Sequence, residues 1–556
     1  MVRLLILGFL LWVGGNTKLH SQTPPTTNDS IPRPLPSIQL QEFTIIGLSR
    51  ITLPQKHRIE LPLSVQTRWI QNPRLVQSSS PIRVFEFARK KPTIRYPITY
   101  PPLTVGIGYG SFQTFQGQIM FQPRLRHVAP FAYLHYQTSQ GHLEGARRQI
   151  LTFKTGLNGN LWQGNRLESQ LFFSTISQGL WGPFYAQFGE HTIRRTLQGL
   201  QINLRQDMGN HISLSTEGYY QEFQHRNFRD TWQTQLALKG RLAYLGERIG
   251  LFIAANWQQA STWQKTPFPN ANDTTFFKKP QTLGEALLGI QIALPAIDFT
   301  TGIRWQTWHT DSLAVHPTPL VPFFRVQVTP TPKWYLSTEF FSGVVIQPLE
   351  PLSRNLLPAD FQNVTFVRSL ARWHATLAFL PTHGLRVEYR WQLHQQEQLP
   401  VVYSAVSAPD SLSPLWWIRF DGKGKTVSHT LASRFDPGNR FQLRAAATFT
   451  FASLETHPQQ QIPYVPRFNA SFQGKWQFTP RLAFRLALRY IGTRYNDIFN
   501  RQILSPYLLL NAEGIIHLTN RWKIQVWGKN LLNQNYEQWR NFTAPGIHFG
   551  ATVVFQ

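Results

Sequence analysis

The sequence predicts an all-β fold: a transmembrane, antiparallel, up-and-down β-barrel of about 22 strands, with short periplasmic turns and long extracellular loops. Three observations predict it: apolar and polar residues alternate along strand-length segments, short turns alternate with longer loops, and charged residues are scarce. Hydrophobic residues make up 42% of the 556 residues and charged residues only 15%. Because soluble globular proteins carry roughly 25% charged residues, this composition favours strands whose outer surface faces lipid.

The clearest alternation lies between Arg481 and Tyr490. Every second residue is apolar, and the residues between them include three arginines: Leu482, Phe484, Leu486, Leu488 and Tyr490 alternate with Arg481, Ala483, Arg485, Ala487 and Arg489. Because successive side chains of a strand point to opposite faces, one face is apolar and the other is strongly basic. The same alternation recurs at residues 232–244, 385–394 and 441–451. It predicts a lipid-facing set and a lumen-facing set of side chains in each strand.

Residues 1–21 have the features of a secretory signal peptide. Arg3 gives a short positive segment, residues 4–13 form an apolar run, and Leu19-His20-Ser21 precedes the expected cleavage before Gln22. No later apolar run reaches the ~20 residues of a membrane-spanning helix. The chain contains no cysteine, which argues against a lipoprotein anchor, disulfides and thiolate metal sites. We therefore expect an exported protein located in the bacterial outer membrane.

Residues 22–102 differ from the rest of the chain. They are rich in proline, as in residues 23–36, and in basic residues such as Arg89, Lys90 and Lys91. Proline-rich segments of this kind form extended tethers. We expect a periplasmic or lumenal extension with little core of its own, followed by the transmembrane barrel over residues 103–556.

Turn signals divide the predicted barrel into strands. Short turns with Gly, Pro, Asn or Asp, which tight hairpins require, are predicted at residues 207–210, 295–296, 436–439 and 519–520. With residues 103–112 as the first strand and 546–555 as the last, the count is about 22, and an even number leaves both ends on the periplasmic side. A split between Gln395 and Phe435 would give 24. The alternative is a soluble β-sandwich, propeller or solenoid, whose outer face would be mostly polar.

Three short motifs lie near the C-terminus. They are Asn530-Leu531-Leu532-Asn533, Tyr536-Glu537 and Pro545-Gly546, the last followed by a strand that ends at Phe555. Together with a proline-containing loop at residues 462–468, expected before the fifth strand from the end, they resemble the end of a TonB-dependent receptor barrel. Residues 467–556 carry this resemblance, while the similarity of residues 103–461 is architectural.

The resemblance implies a solute transporter of the outer membrane. Its implied partners are outer-membrane lipid and lipopolysaccharide, the barrel assembly machinery, and a TonB-type energiser or another envelope protein. The chain departs from the family pattern at two points. Gln556 follows Phe555, where such barrels usually end on an aromatic residue, and residues 22–102 are too short for a complete plug domain. We interpret this segment as a truncated plug, which leaves engagement of TonB an open question.

The predicted lumen is basic. The chain has 55 Lys and Arg against 28 Asp and Glu, a net charge of +27. The basic residues expected to line the lumen are Arg481, Arg485, Arg489, Arg444, Arg325, Lys239, Arg241, Arg521, Lys523 and Lys529. Basic residues inside low-dielectric walls favour anions over cations. The alternative is that these residues pair with acidic residues across the wall and only stiffen it.

These patterns favour transport of a solute over other functions. The alternative is a non-transporting barrel that serves as a surface or envelope interaction platform, and in an exported chain we expect no nucleic-acid partner. The 17 histidines lack metal-ligand spacing, and we expect neither catalysis nor a cofactor. Loop aromatics such as Trp181, Tyr536 and Trp539 either stack on sugars or a partner protein or pack among the loops.

Overall fold

A computed structural model describes most of the predicted barrel. The described residues are 102–123, 125, 127–162, 165–181, 189–208, 211–227, 230–246, 248–265, 276–310, 320–355, 359–362, 364, 366–382, 384–404, 416–438 and 440–556. The expected signal peptide at residues 1–21 lies outside this range. So does the expected N-terminal extension at residues 22–102, apart from Pro102.

Strands make up almost all of the described regular structure, with one short helix, α1, between β13 and β14. The elements are β1 (Leu103–Gly110), β2 (Thr114–Phe121), β3 (Val128–Ser139), β4 (Arg148–Trp162), β5 (Asn165–Gly179), β6 (Thr192–Met208), β7 (Ile212–Arg226), β8 (Asp230–Leu245), β9 (Ile249–Lys265), β10 (Phe276–Ala293), β11 (Ile297–Thr310), β12 (Leu320–Thr331), β13 (Trp334–Val345), α1 (Leu349–Asn355), β14 (Ala359–Gln362), β15 (Val367–Phe379), β16 (Leu385–Ser404), β17 (Trp416–Gly438), β18 (Phe441–Leu454), β19 (Phe468–Thr479), β20 (Leu482–Ile491), β21 (Arg494–Tyr495), β22 (Ile503–Leu504), β23 (Tyr507–His517), β24 (Trp522–Lys529), β25 (Glu537–Trp539), β26 (Phe542–Thr543) and β27 (His548–Phe555). Among the described residues, no helix has the length and hydrophobicity that crossing a membrane requires.

The strands form a closed antiparallel barrel of 22 strands. Each wall strand pairs with the next one along the chain, and β1 closes the ring by pairing with both β2 and β27. Strand β14 is an addition to the wall, because it pairs in parallel with β17. The pairs β21–β22 and β25–β26 are small hairpins within the loops. The predicted fold class and strand number are confirmed.

The uncertain region between Gln395 and Phe435 belongs to two unusually long strands. Strand β16 has 20 residues and β17 has 23, and neither is split. A β-bulge between Glu397 and Pro400 shifts their register, and Gln398 has a positive φ of 56°. A bulge bends a strand without ending it, so this irregularity resembles a turn in the sequence. The hairpin that β16 and β17 form therefore extends well beyond the neighbouring strands.

The outward side of the wall is apolar. Large hydrophobic side chains are exposed there, including Leu238, Ile253 and Leu288, each more than half exposed. Aromatic pairs cluster at the end of the barrel that carries the short turns: Trp334 with Phe379, Trp476 with Phe478, and Trp522 with Phe555, with ring centroids 4.3, 4.6 and 5.1 Å apart. An apolar band edged by aromatic residues is typical of a barrel wall in a lipid bilayer.

Candidate solute pathway

The predicted basic residues fall into two groups. In each of their strands, lipid-exposed residues alternate with the basic positions, so most of the predicted set faces the lumen: Lys239 and Arg241 on β8, Arg325 on β12, Arg444 on β18, Arg485 and Arg489 on β20, and Lys523 and Lys529 on β24. Arg481 and Arg521 instead lie in turns at the short-turn end, immediately before β20 and β24. These two residues belong to the rim of the lumen and not to its wall.

Several of the lumen-facing residues have acidic or aromatic neighbours. Arg485 donates a hydrogen bond to Glu513 at 3.2 Å, and Lys239 lies 3.5 Å from Glu217. Arg325 is the register partner of Glu339. The guanidinium of Arg241 lies 4.3 Å from the centroid of the Phe252 ring. Pairing across the wall, the alternative raised by the sequence, therefore occurs at some of these positions.

Basic residues nonetheless predominate on one part of the wall. We define the basic wall as Arg434, Arg444, Lys475, Arg485, Arg489, Lys523 and Lys529, which lie on β17–β20 and β24. Arg434 and Arg444 are direct register partners, as are Lys475 and Arg485. Two acidic residues contact this wall in the described ion pairs: Asp436 lies 3.0 Å from Arg434, and Glu513 lies 3.2 Å from Arg485. Like charges directly opposite each other repel, so these two register pairs concentrate positive charge on this part of the wall.

Sequence reasoning missed two members of the basic wall. Lys475 directly precedes Trp476 on β19. Trp476 and Phe478 are both half exposed on the lipid side. The alternation around these aromatics would have placed Lys475 in the lumen. Arg434 lies near the end of the long strand β17, where the sequence left the strand division open. Its pairing with Arg444 could be assigned only with the register known.

A buried ion pair lies on the opposite part of the wall. Arg304 on β11 and Glu285 on β10 are almost fully buried, with Nε and Oε1 3.0 Å apart. The Arg304 guanidinium lies 3.9 Å from the centroid of the Phe341 ring, and its Nη1 donates to the carbonyl of Ser342 at 3.3 Å. A buried cation needs such compensation, because leaving water costs it solvation energy. This pair therefore holds β10, β11 and β13 together.

Two histidines on the lumen side of β15 and β16 lie close together. The Nε2 atoms of His374 and His394 are 2.7 Å apart, and Arg372 Nε lies 3.1 Å from His374 Nε2. The adjacent guanidinium is unfavourable for a bound cation. Within the described ranges, no group of three His, Asp or Glu side chains is placed to hold a metal ion.

A long loop at the other end of the barrel folds against lumen-facing side chains. We call the described residues between β13 and β15 the inward loop; they are 346–355, 359–362, 364 and 366, and they include α1 and β14. Gln233 on β8 accepts a hydrogen bond from the Leu349 amide at 3.0 Å and donates to the Gln347 carbonyl at 3.4 Å. Arg195 on β6 donates to the Ser353 carbonyl at 2.7 Å. The wall thus supplies side-chain partners for the loop backbone.

Further along the inward loop, the same kind of contact recurs. Gln264 on β9 donates to the Phe361 carbonyl at 2.7 Å, and Gln281 on β10 donates to the Val364 carbonyl at 3.5 Å. Where β13 leads into the loop, Gln306 on β11 accepts from the Val344 amide and donates to its carbonyl, at 3.0 and 3.2 Å. Side chains from β6 and β8–β11 therefore all bind this segment or its junction with β13.

Several loops meet in one apolar cluster at this end, which we call the mouth cluster. Its buried residues are Leu180, Ile193, Phe223, Leu349, Phe361, Val364, Val367, Val402, Ile418, Phe420, Trp539 and Phe542. Trp181 packs against it, with its ring 4.8 Å from that of Phe542, and its Nε1 donates to the Thr543 carbonyl at 3.3 Å. Tyr536 is also buried, with its ring 4.1 Å from Tyr507. Of the two alternatives for the loop aromatics, packing among the loops is observed at Trp181, Tyr536 and Trp539.

The C-terminal motifs fix the loop between β24 and β27. Asn530 is fully buried and its Nδ2 donates to the carbonyls of Gln534 and Pro545, at 2.9 and 3.0 Å. Asn533 Oδ1 accepts from the Ile547 amide at 2.9 Å. A Cβ at Gly546 would lie 2.5 Å from that oxygen, which explains the glycine. The Leu531 amide donates a hydrogen bond to the Leu510 carbonyl, and the Leu532 side chain is exposed. Phe555 packs on Trp522 at the short-turn end of the barrel.

Arg494 joins two of the outer loops. Its Nη1 and Nη2 donate to the carbonyls of Gln538 and Glu537, at 3.0 and 2.7 Å. Burial lowers the pKa of Arg494, an effect that Tyr507 opposes. Burial also raises the pKa of the Glu537 carboxyl, while a backbone hydrogen bond from Asn541 opposes that shift. The motif residues thus have structural roles in ordering the loops.

The fold is a closed 22-strand antiparallel β-barrel, and solved structures of outer-membrane receptors and transporters share it. The chain is similar to the FrpB iron transporter from Neisseria meningitidis, with TM-score 0.62 and 8% identity over 82% of this chain and 81% of that one. It is similar to the pyoverdine outer-membrane receptor FpvA from Pseudomonas aeruginosa, with TM-score 0.63 and 11% identity over 82% of this chain and 78% of that one. It is also similar to the siderophore receptor PiuA from Acinetobacter baumannii, with TM-score 0.61 and 11% identity over 82% of this chain and 82% of that one. No protein-family model and no curated protein sequence matches the chain.

The proline-containing loop at residues 462–468 lies where the resemblance requires it. It leads into β19, which is the fifth wall strand from the C-terminus. Gln461 anchors its start: Oε1 accepts from the Ala452 amide at 3.2 Å, and Nε2 donates to the Val465 carbonyl at 3.2 Å. The predicted order of loops and strands in the last part of the chain is confirmed.

Proposed function

We propose that this protein is an outer-membrane transport protein whose barrel mediates passage or uptake of a solute, with anions favoured. The fold supports transport, because similar solved structures are named as an iron transporter, a siderophore receptor and a copper transporter. These neighbours are not named as enzymes, which supports a function without catalysis. The basic wall is the observation that carries the preference for anions.

The basic wall acts on ions through its electric field. Its guanidinium and ammonium groups face an aqueous lumen enclosed by a low-dielectric wall, which concentrates field lines along the pathway. Strands β17–β20, β23 and β24 carry the seven residues of the basic wall against three acidic residues, so this part of the wall has a net positive charge. An anion that passes the wall is therefore stabilised and a cation is repelled. The lumen needs no dedicated binding cage for this selectivity.

We propose that residues 22–102 and an envelope partner regulate passage at the short-turn end. Both ends of the wall, Leu103 on β1 and Phe555 on β27, lie at that end. The N-terminal extension therefore joins the barrel on the side that we assign to the periplasm. A TonB-type energiser is the proposed partner on this side. Lipid and lipopolysaccharide contact the outer surface, and the barrel assembly machinery inserts the chain.

Charge neutralisation of the basic wall tests the preference for anions. In planar bilayers under a salt gradient, we expect the full chain to show an anion-selective reversal potential. Replacing Arg434, Arg444 and Lys475 by glutamine should lower the anion-to-cation permeability ratio roughly several-fold, since the field scales with the fixed charge. The matched control replaces Arg440, Arg481 and Arg521 by glutamine, which removes the same charge from the turns.

A larger loss of anion selectivity in the basic-wall variant than in the turn variant supports the proposal. A cation-selective wild-type protein, or equal effects of the two variants, contradicts the role of the basic wall. Failure of the full chain to conduct ions or admit solutes at all contradicts transport itself.

A further inference from the structure

We propose that the inward loop is a fixed constriction that limits the size of the solute that passes. This inference rests on the proposed transport function. A barrel of 22 strands encloses a lumen far wider than a small solute, so the wall alone provides no size selection. A segment that lies across the lumen and does not move would provide it.

The inward loop joins the wall at β6 to a hairpin that rises from a nearly opposite part of the ring. Its Ser353 accepts a hydrogen bond from Arg195 on β6. Its β14 pairs in parallel with Trp416–Arg419, in the part of the β16–β17 hairpin that projects beyond β18. In the closed ring, β7–β13, β15 and β16 lie between β6 and β17 on one side, and the remaining wall strands lie on the other. The inward loop and the projecting β16–β17 hairpin therefore meet across the mouth of the lumen.

The loop is held by polar contacts along its length. Lumen-facing side chains of β6 and β8–β10 bind its backbone: Arg195, Gln233, Gln264 and Gln281. These contacts satisfy backbone groups that would otherwise be buried without partners. Glutamine suits this role because one amide both donates and accepts, as Gln233 does with Gln347 and Leu349.

Apolar packing fixes the same segment. Leu349 and Phe361 are fully buried and Val364 nearly so, all within the mouth cluster. The Phe361 ring lies edge-on to Phe223 and His225 of β7, with centroids 6.5 and 5.6 Å apart. Segments that open easily have few buried apolar contacts and exposed backbone hydrogen bonds. The inward loop has the opposite properties, which distinguish a permanent constriction from a lid.

Solute uptake by vesicles tests the size limit. The test variant replaces Gln233, Gln264 and Gln281 by alanine, and the matched control replaces Gln221, Gln258 and Gln291. The control glutamines also face the lumen, from β7, β9 and β10, and form no hydrogen bond to the inward loop among the described contacts. The full-length proteins are reconstituted in vesicles, and uptake of neutral oligosaccharides of increasing length is measured by swelling.

We expect the test variant to admit longer oligosaccharides than the wild type and the control, while the shortest sugars enter all three at similar rates. An unchanged size dependence in the test variant overturns the constriction. If no sugar enters any of the three proteins, the transport function fails, and the following measurement still decides whether the loop is fixed.

Labelling of a single cysteine measures loop opening without transport. The chain has no cysteine, and Ser353→Cys places a nearly isosteric thiol at a site that is 1% exposed. We expect a water-soluble maleimide to label it very slowly in the folded protein. When Gln233, Gln264 and Gln281 are also replaced by alanine, labelling should be roughly a hundredfold faster. Each lost hydrogen bond shifts the equilibrium for loop opening by about three- to tenfold. Rapid labelling without the glutamine substitutions would show a mobile lid and overturn the proposal.

Discussion

We expect Glu285→Ala to lower the free energy of unfolding of the barrel by about 3–5 kcal/mol, because it leaves a buried guanidinium without its carboxylate. Arg304 is the fully buried partner, with its Nε 3.0 Å from Glu285 Oε1. Gln306, whose Nε2 donates to the same carboxylate at 3.4 Å, loses a partner as well. The change removes compensation for a charge that remains buried, which costs more than the loss of an exposed ion pair.

Urea unfolding in lipid vesicles measures this difference. The matched control is Glu217→Ala, which removes an acidic residue from the same lumen face at the pair with Lys239. That pair is partly exposed, so the expected loss is about 1 kcal/mol or less. Equal losses in the two variants would show that Arg304 is well solvated in the folded barrel, contrary to its position here.

The second large effect concerns the outer face of the wall. Leu288 on β10 is 55% exposed and lies five residues from the short-turn end of its strand. If this face contacts acyl chains, Leu288→Arg places a charge in hydrocarbon and should cost about 2–4 kcal/mol of folding free energy. The same urea titration, or the fraction of protein that folds into vesicles, measures the loss.

A lumen-facing position provides the control for this substitution. Gln258 on β9 is partly exposed and faces the lumen between Ala237 and Leu283, its register partners. Gln258→Arg adds the same charge at a partly exposed position on the lumen face, and we expect a loss of about 1 kcal/mol or less, as is usual for surface substitutions. An arginine tolerated equally well at Leu288 and Gln258 would mean that the outer face contacts water.

Which side chains face lipid and which face the lumen could be predicted from the sequence, because apolar and polar residues alternate along the strand segments. At β20, the apolar positions Leu482 and Phe484 are lipid-exposed as predicted, and Arg485 lies on the other face. The strand number was predictable for the same reason. It was uncertain only between Gln395 and Phe435, where a bulge breaks the alternation without ending the strand.

The contacts between the wall and the inward loop could not be predicted, because they join residues far apart in the chain. Arg195 and Ser353 are 158 positions apart, and Gln233 and Leu349 are 116 apart. A glutamine on the lumen face looks the same in the sequence whether it binds water or a loop backbone. The pairing of Arg485 with Glu513 likewise depends on the register of β20 and β23.

The most direct test of the account is a cysteine scan of β20, made possible by a chain without native cysteine. Single cysteines replace in turn Phe484, Arg485, Leu486, Ala487, Leu488 and Arg489 in the full-length protein in vesicles. Positions 485, 487 and 489 should react with a water-soluble maleimide, while a fluorophore at 484, 486 and 488 should be quenched by brominated lipid. Reactivity without a period of two, or quenching at the arginine positions, would contradict a lipid-embedded barrel with an aqueous lumen.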